Sequence, residues 1–214
     1  MKLIDHIRSE CYCGRPESYK GTRCFSCPLR KENMYTTVLS FYAGPGCGKS
    51  TSSAFIFAEL KRRGVNSELV REYIKDWVWE GRNINVYDQF YFLGKQIRKE
   101  SLVLGKVDAI VTDCPVWLSA YYSERISPPL IRNGVEACVQ GYYQQAKIEG
   151  HRHINIWLNR SKPFVQAGRW HTEEQSREVD VELKLFLQKR GVELVEAESD
   201  FDSLSKVLDE LGFY

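Results

Sequence analysis

Nine consecutive residues, 43–51, have the types and spacing of a loop that binds phosphate groups. They read Ala43-Gly44-Pro45-Gly46-Cys47-Gly48-Lys49-Ser50-Thr51. The glycines allow backbone N–H groups to turn inward around the β- and γ-phosphates of a nucleotide. Lys49 adds a positive charge beside those phosphates, and the hydroxyl of Ser50 can bind Mg²⁺. The sequence therefore predicts that residues 44–51 bind a nucleoside triphosphate such as ATP, with Lys49 in a catalytic role.

The residues on either side of this loop supply the context that such a loop requires. The apolar run 36–42 predicts a β-strand, and residues 50–63 predict an α-helix. A helix N-terminus directly after the loop favours anion binding, because its free N–H groups point at the ligand. Ala43 replaces the usual first glycine, which is a common relaxation of the pattern. A chance match is the alternative, and the strand–loop–helix order argues against it.

Segments of strand character alternate with helical segments along the rest of the chain. Strands are predicted at 67–70, 108–112, 153–158 and 192–195, and helices at 86–104, 131–148, 173–190 and 201–211. This alternation implies right-handed βαβ crossovers and a mainly parallel sheet that is covered by helices on both faces. We therefore predict an α/β fold of the P-loop NTPase type for residues 34–214.

Two carboxylates follow predicted strands, and ligands of such sheets bind beyond the carboxyl ends of the strands. Asp113 ends the third strand, where it can hold Mg²⁺ or orient an attacking hydroxyl. Glu72 ends the second strand, where it can contact the acceptor and take the proton from that hydroxyl. Each of them can instead cap a following helix.

The polar stretch 159–172 has the character of a lid, with glycine and proline as hinges and with Arg160 and Arg169. A planar guanidinium placed over a phosphoryl group stabilises its spread negative charge during transfer. We predict a catalytic role for these two arginines. The alternative for each is an arginine in a solvated loop.

The helix predicted at 86–104 supplies three candidates for acceptor binding, Asp88, Gln96 and Arg98. Gln96 and Arg98 can both reach a base or a sugar only near a helix end, and surface polarity explains all three equally well. Nearby aromatic side chains can stack a base, although core packing is their commoner fate. These aromatic residues are Trp77, Trp79, Tyr87 and Tyr91.

Four of the seven cysteines lie close together near the N-terminus. They are Cys11, Cys13, Cys24 and Cys27. Reduced cysteines at this spacing predict a four-sulfur zinc site, and unligated core cysteines are the alternative. We therefore treat residues 1–33 as a separate zinc-binding segment resembling a zinc knuckle, which either contacts nucleic acid or is purely structural.

Charge is distributed unevenly along the 214 residues, although the net charge is only +2. Residues 1–33 carry seven basic and four acidic residues, a net of +3, and the remainder carries 23 basic and 24 acidic residues. The sequence contains no apolar run that is long enough to cross a bilayer and no signal-peptide pattern. We expect a cytoplasmic protein with reduced cysteines and no membrane partner.

At this point the chain resembles P-loop kinases of the thymidylate-kinase-like and deoxynucleoside-kinase-like group over about residues 36–211. The segments that carry the resemblance are 43–51, 71–73, 88–96, 112–115 and 158–169. Nicotinamide riboside kinases are similar in the second and the lid segments. Most specifically, the set resembles small bacteriophage kinases that phosphorylate 5-hydroxymethyluracil already present in DNA, a step in thymidine hypermodification.

The resemblance implies ATP on the phosphate loop, Mg²⁺ and the acceptor hydroxyl near Asp113, and lid charge on Arg160 and Arg169. It implies a phage origin and a location in the host cytoplasm, and the basic N-terminal segment suits a polymeric acceptor. A kinase of a free nucleoside, nucleotide or nicotinamide riboside is the second hypothesis. A nucleotide switch or ATPase is the third, disfavoured because no Asn-Lys-x-Asp sequence occurs and Asp113 is followed by no second acid.

Overall fold

The computed structural model describes residues 35–160, 164–165 and 172–214. The four N-terminal cysteines and the segment 1–33 lie outside these ranges, and so does Arg169. The zinc site and the lid charge on Arg169 therefore stay predictions. Within the described ranges, no helix has the length and apolar character needed to cross a membrane.

The strands of the described chain form one sheet in which every pairing is parallel, in the order β2-β3-β1-β4-β5. The strands are β1 Thr37–Tyr42, β2 Ser67–Val70, β3 Ala109–Thr112, β4 Arg152–Asn159 and β5 Leu194–Glu198. In the centre of the sheet, Val38 of β1 is in register with Ile110 of β3 and His153 of β4. The predicted parallel α/β fold is confirmed.

Helices connect the strands and cover both faces of the sheet. They are α1 Lys49–Arg62, α2 Ile74–Trp79, α3 Asp88–Ser101, α4 Trp117–Ile126, α5 Pro129–Ile148, α6 Glu173–Lys189 and α7 Phe201–Glu210. On one face, α1 and α7 pack on the strands through Ile56, Leu60, Leu204 and Leu208. On the other face, α3 to α6 enclose a second cluster around Tyr42, Trp117, Val139, Trp157 and Leu183. Alternate side chains of β1 enter the two cores, as expected of a strand with a period of two.

Several elements differ from the sequence-based assignment, among them the helix predicted at 86–104, which spans Asp88–Ser101. Helix α4 was not predicted, because most of its positions from Trp117 to Ser123 are buried and the polar–apolar alternation of a surface helix is lost. Helix α2 has only six residues, too few for a periodic signal. The last strand begins at Leu194 and ends at Glu198, so the prediction of 192–195 was wrong at both ends.

Candidate functional site

The predicted phosphate loop connects the end of β1 to the start of α1, at the carboxyl edge of the sheet. Gly46 and Gly48 have φ angles of 82° and 93°, a region of backbone conformation that favours glycine. The side chain of Lys49 folds back over the loop, and its Nζ donates to the carbonyl oxygens of Ala43 at 2.7 Å and Gly44 at 3.2 Å. The ammonium group and the turned backbone therefore occupy one small region, as phosphate binding requires.

Cys47 anchors the loop to the interior of the protein, since its side chain is buried in the core. Its Sγ donates to the carbonyl oxygen of Leu158 at 3.4 Å. Burial raises the pKa of the Cys47 thiol, with Asp180 adding to the rise and Arg160 opposing it. Cys47 can thus offer a ligand its backbone N–H, and its side chain is a packing group.

A network of three polar side chains holds the first half of the loop, and we call it the loop clamp: Arg160, Ser176 and Asp180. Asp180 Oδ1 accepts from the Gly44 N–H at 2.5 Å, and its Oδ2 accepts from Arg160 Nε at 2.8 Å. Arg160 Nη2 donates to Ser176 Oγ at 2.6 Å and to the Pro45 carbonyl at 3.2 Å. The Ser176 hydroxyl also donates to that Pro45 carbonyl.

The loop clamp is largely withdrawn from solvent, since the side chains of Arg160 and Asp180 are 10% and 19% exposed. Among the described residues, Arg160 Nη1 is buried and has no hydrogen-bond partner. A Cβ at position 44 would lie 2.5 Å from the Ser176 carbonyl oxygen and 2.6 Å from Asp180 Oδ1. Position 44 therefore requires glycine, because the Ser176 carbonyl and the Asp180 carboxylate of α6 leave no room for a Cβ.

This arrangement gives Arg160 a contact with the loop that the sequence did not reveal. Arg160 directly follows β4, while Ser176 and Asp180 lie on α6, so the clamp joins the two elements that flank the predicted lid 159–172. It remains a prediction that the Arg160 guanidinium contacts a transferred phosphoryl group directly. The contacts of its Nε and Nη2 indicate that it also positions the loop.

The two predicted acidic residues lie at the ends of adjacent strands. Asp113 is buried just past β3, and its Oδ1 accepts a hydrogen bond from the backbone N–H of Glu72 at 2.9 Å. Burial raises the pKa of the neighbouring Cys114 thiol well above its usual range, Glu72 and Asp113 add to the rise, and Lys49 opposes it. The Cys114 thiol therefore lies within the electrostatic influence of Lys49, Glu72 and Asp113. Because its pKa is raised, Cys114 stays protonated and is unsuited to nucleophilic chemistry.

Oxygen donors at this edge suit Mg²⁺, which is usually held by one or two protein ligands with water and phosphate completing its shell. Ser50 is exposed in the first turn of α1, and Asp113 offers a carboxylate. The described ranges hold no group of three His, Cys, Asp or Glu side chains that can bind a metal. A site of the Mg²⁺–nucleotide kind needs no such group, so these residues fit the ion.

Gln96 lies in the interior, on the side of α3 that faces the sheet. Its Nε2 donates to Thr112 Oγ1 at 3.2 Å and to Glu100 Oε1 at 3.0 Å. Tyr142 of α5 donates its hydroxyl to the other Glu100 oxygen at 2.7 Å. The buried network lies behind the end of β3, so it supports the strand that carries Asp113.

Asp88 and Arg98 are not brought together with Gln96. Asp88 Oδ2 accepts from the Asn85 backbone N–H at 2.7 Å, which fixes the turn before α3. Arg98 is exposed, whereas Gln96 is buried on another side of the same helix. The structure thus gives Asp88 and Gln96 structural contacts, and a contact of these three residues with an acceptor remains a prediction.

Glu100 should make the protein less stable as pH rises, because burial raises its pKa from 4.5 to about 7. The protonated form is favoured in the folded chain, so no penalty exists below about pH 4.5. The penalty develops up to about pH 7 and reaches about 3 kcal/mol. We expect Glu100→Gln to gain stability relative to the wild type as pH rises through this window, in urea unfolding.

The difference in unfolding free energy between the wild type and Glu100→Gln isolates the contribution of Glu100. This comparison is needed because the contribution of His153 has the opposite pH dependence. Burial lowers the pKa of His153 to about 4, so its contribution is lost as pH falls. His153 is present in both proteins and cancels in the comparison. A wild-type-minus-variant difference that stays flat from about pH 5 to about pH 8 would show that Glu100 does not titrate in this way.

The sheet order and the loop between β1 and α1 give this chain the fold that P-loop kinases have. Three solved structures show this likeness. Two are NadR chains, one in complex with NAD and AMP-PNP and one in complex with NR. Each has a TM-score of 0.61 and 14% identity.

The third is thymidylate kinase from Ehrlichia chaffeensis, with a TM-score of 0.57 and 13% identity, covering 83% of this chain and 99% of that one. The two NadR matches cover 86% and 85% of this chain, which spans about half the length of each NadR chain, 51% and 52%. No protein-family model matches the sequence, and no curated protein does. At these identities the likeness shows the fold alone.

Proposed function

We propose that this protein is an ATP-dependent kinase that transfers the γ-phosphoryl group to a hydroxyl of a pyrimidine nucleoside unit. The observation that carries the proposal is the common location of the phosphate loop, Lys49, Glu72 and Asp113 at one edge of a P-loop kinase fold. Acceptors of such folds lie beyond the carboxyl ends of the strands, which is where both carboxylates lie.

In the proposed reaction, the acceptor oxygen forms a bond to the γ-phosphorus, the bond to the β–γ bridging oxygen breaks, and ADP leaves. The hydroxyl proton passes to Glu72 or Asp113. Backbone N–H groups of residues 44–51 and the Lys49 ammonium bind the phosphates. Ser50 and Asp113 would hold Mg²⁺, which neutralises phosphate charge. Arg160 and Arg169 are proposed to add charge from the lid.

Our preferred acceptor is the hydroxymethyl group of 5-hydroxymethyldeoxyuridine in DNA. The resemblance of segments 43–51, 71–73, 88–96, 112–115 and 158–169, taken together, to phage DNA kinases supports it, as does the net charge of +3 on residues 1–33. We propose that Cys11, Cys13, Cys24 and Cys27 bind a structural zinc ion there, which metal analysis of the reduced full-length chain tests. The phage origin and host-cytoplasm location belong to the same proposal.

A small acceptor is the second candidate, because the structures similar in fold include NadR bound to NR and a thymidylate kinase. Transfer from γ-labelled ATP to a panel of acceptors separates the two. The panel contains 5-hydroxymethyluracil DNA, unmodified DNA, free nucleosides and nucleotides, and nicotinamide riboside. We expect label in the modified DNA alone. Label in a small molecule alone would overturn the DNA acceptor, and ATP hydrolysis with no labelled acceptor would overturn the kinase proposal.

Replacing each carboxylate by its amide identifies the proton acceptor. We expect Glu72→Gln to lower kcat by about 10²- to 10⁴-fold with little change in the KM for ATP, because only proton transfer is lost. Asp113→Asn should also shift the Mg²⁺ dependence, since we assign this side chain to the ion. The control is Glu210→Gln, an exposed position on α7. Full kcat in Glu72→Gln would assign proton transfer to Asp113.

A further inference from the structure

Helix α2, the loop after it and the start of α3 expose large aromatic side chains next to the candidate site. Trp79 and Tyr87 are 67% and 69% exposed, and Tyr91 is 42% exposed. Tyr73 and Trp77 are half-buried, and both contact Tyr91. We call these five residues the aromatic surface. Three large rings are thus left exposed within one segment of about twenty residues.

The centre of the aromatic surface is fixed in place. The hydroxyls of Tyr73 and Tyr91 are hydrogen-bonded at 2.8 Å. The ring centroids of Trp77 and Tyr91 are 6.1 Å apart, and Trp77 packs edge-on against the buried Phe92 at 4.8 Å. Since these rings are held by one another and by the core, a ligand that stacks on them does not have to order them first.

Positive charge accompanies the rings. Lys95 Nζ lies 5.3 Å from the ring centroid of Tyr91, and Lys99 Nζ lies 5.4 Å from that of Tyr73. The guanidinium of Arg82 lies 5.1 Å from the Trp77 ring. Residues 71–99 carry six basic and four acidic side chains. Glu80 is paired with Arg82, so these two charges largely offset each other.

The aromatic surface begins beside the site. Tyr73 is the residue after Glu72, whose backbone N–H binds Asp113. The surface therefore starts at the carboxyl end of β2, an edge strand of the sheet, and extends outward along α2 and α3. A chain that lies on these helices has its end, or one of its units, next to the two carboxylates.

We propose that the aromatic surface binds single-stranded nucleic acid, with bases on the exposed rings and phosphates near Lys95 and Lys99. This inference rests on the proposed function, in which it presents a nucleotide of a polymer to Glu72 and Asp113. Rings that alternate with cations are the recurring design of surfaces that bind single strands. Duplex DNA hides its base faces, and protein interfaces are depleted in lysine, so both fit this surface less well.

Fluorescence anisotropy with labelled oligodeoxythymidine of about 20 nucleotides tests the inference on the full chain, and the same strand paired with oligodeoxyadenosine is the duplex comparison. We expect tighter binding of the single strand. Trp79→Ala with Tyr91→Ala should weaken it by about tenfold or more, since stacking is worth about 1–3 kcal/mol per base. Tyr214→Ala, which removes an exposed ring far along the chain, is the control.

The lysines are tested by the salt dependence of binding. Lys95→Gln with Lys99→Gln should reduce the slope of log Kd against log salt concentration by about 1.4, for two phosphate contacts on a single strand. Lys206→Gln on α7 is the control for the loss of a surface lysine. Equal binding of strand and duplex, or aromatic and lysine variants that bind like the wild type, would overturn the inference.

Binding of the single strand does not require phosphoryl transfer, so the binding experiments test this inference independently of the proposed function. If the kinase proposal is wrong, these binding results are unaffected. If both proposals hold, the aromatic variants should raise the KM for a modified oligonucleotide at least tenfold and leave the KM for the free modified nucleoside unchanged. An equal rise for both acceptors would assign the rings to the acceptor pocket and overturn a surface for the strand.

Discussion

Lys49→Ala should abolish phosphoryl transfer and leave the fold intact. The Lys49 ammonium lies over the phosphate loop, where it donates to the Ala43 and Gly44 carbonyls. In the proposed reaction, it neutralises negative charge that grows on the transferred group. Loss of one preorganised group of this kind costs about 10²- to 10³-fold in kcat, and phosphoryl transfer depends almost entirely on such groups. We expect the kcat to fall by at least this much in assays with labelled ATP.

The fold should survive because Lys49 contacts only the surface of the loop. The two hydrogen bonds from its Nζ go to carbonyl groups of the loop, so removing the side chain leaves the packing of the sheet and helices unchanged. Thermal unfolding therefore provides the first control, with Tm close to that of the wild type. Lys206→Ala, an exposed lysine on α7, provides the second. Normal turnover by Lys49→Ala would contradict the assignment of the phosphate loop.

The phosphate loop and the parallel sheet were predictable because their signals are local. A loop with Gly46, Gly48 and Lys49 depends on residues that are adjacent in sequence, and strands buried on both faces read as short apolar runs. Glu72 and Asp113 were also predicted from local sequence, since Asp113 directly follows β3 and Glu72 lies two residues after β2. That the strands are neighbours, and that one backbone N–H binds the other carboxylate, depends on a sheet order that local patterns do not encode.

The loop clamp and the buried network could not be predicted, because their members are distant in sequence. The Gly44 N–H and its acceptor Asp180 are 136 residues apart. Glu100 and Tyr142 are 42 residues apart and belong to two helices that meet only in the folded chain. Gln96 was predicted as a candidate for acceptor binding, and its burial depends on which side of α3 faces the sheet. The one local sign of the clamp was Gly44, whose need for glycine arises from α6.

Removing the carboxylate of the loop clamp should weaken ATP binding and destabilise the protein. Asp180→Ala leaves the Gly44 N–H and Arg160 Nε without their acceptor in a largely buried position. Breaking a pair of this kind costs about 3 kcal/mol. The first half of the loop also loses its anchor, so we expect the KM for ATP to rise tenfold or more. Glu178→Ala, an exposed acid on the same helix, is the control.

Gly44→Ala tests the same contact from the loop side. The added Cβ would lie 2.5 Å from a backbone oxygen of α6, so the loop must shift away from the helix. Overpacking of this kind costs about 1–3 kcal/mol, and the shift turns N–H groups away from the phosphates. Gly94→Ala on α3 is a matched control, because a Cβ there meets open space. A Gly44→Ala variant with the ATP affinity of the wild type would show that this contact does not set the loop.

A double variant separates positioning of the loop from simple stability. Replacing a buried ion pair by apolar groups of similar volume is often neutral for stability, so Arg160→Met with Asp180→Leu should unfold later than Asp180→Ala. The Gly44 N–H still lacks an acceptor in the double variant, and the Pro45 carbonyl loses the Arg160 donor. We therefore expect stability to recover while the KM for ATP stays high. If stability and the KM for ATP both return to the values of the wild type, the Arg160–Asp180 pair only stabilises the fold. The shape of the loop would then depend on its own glycines.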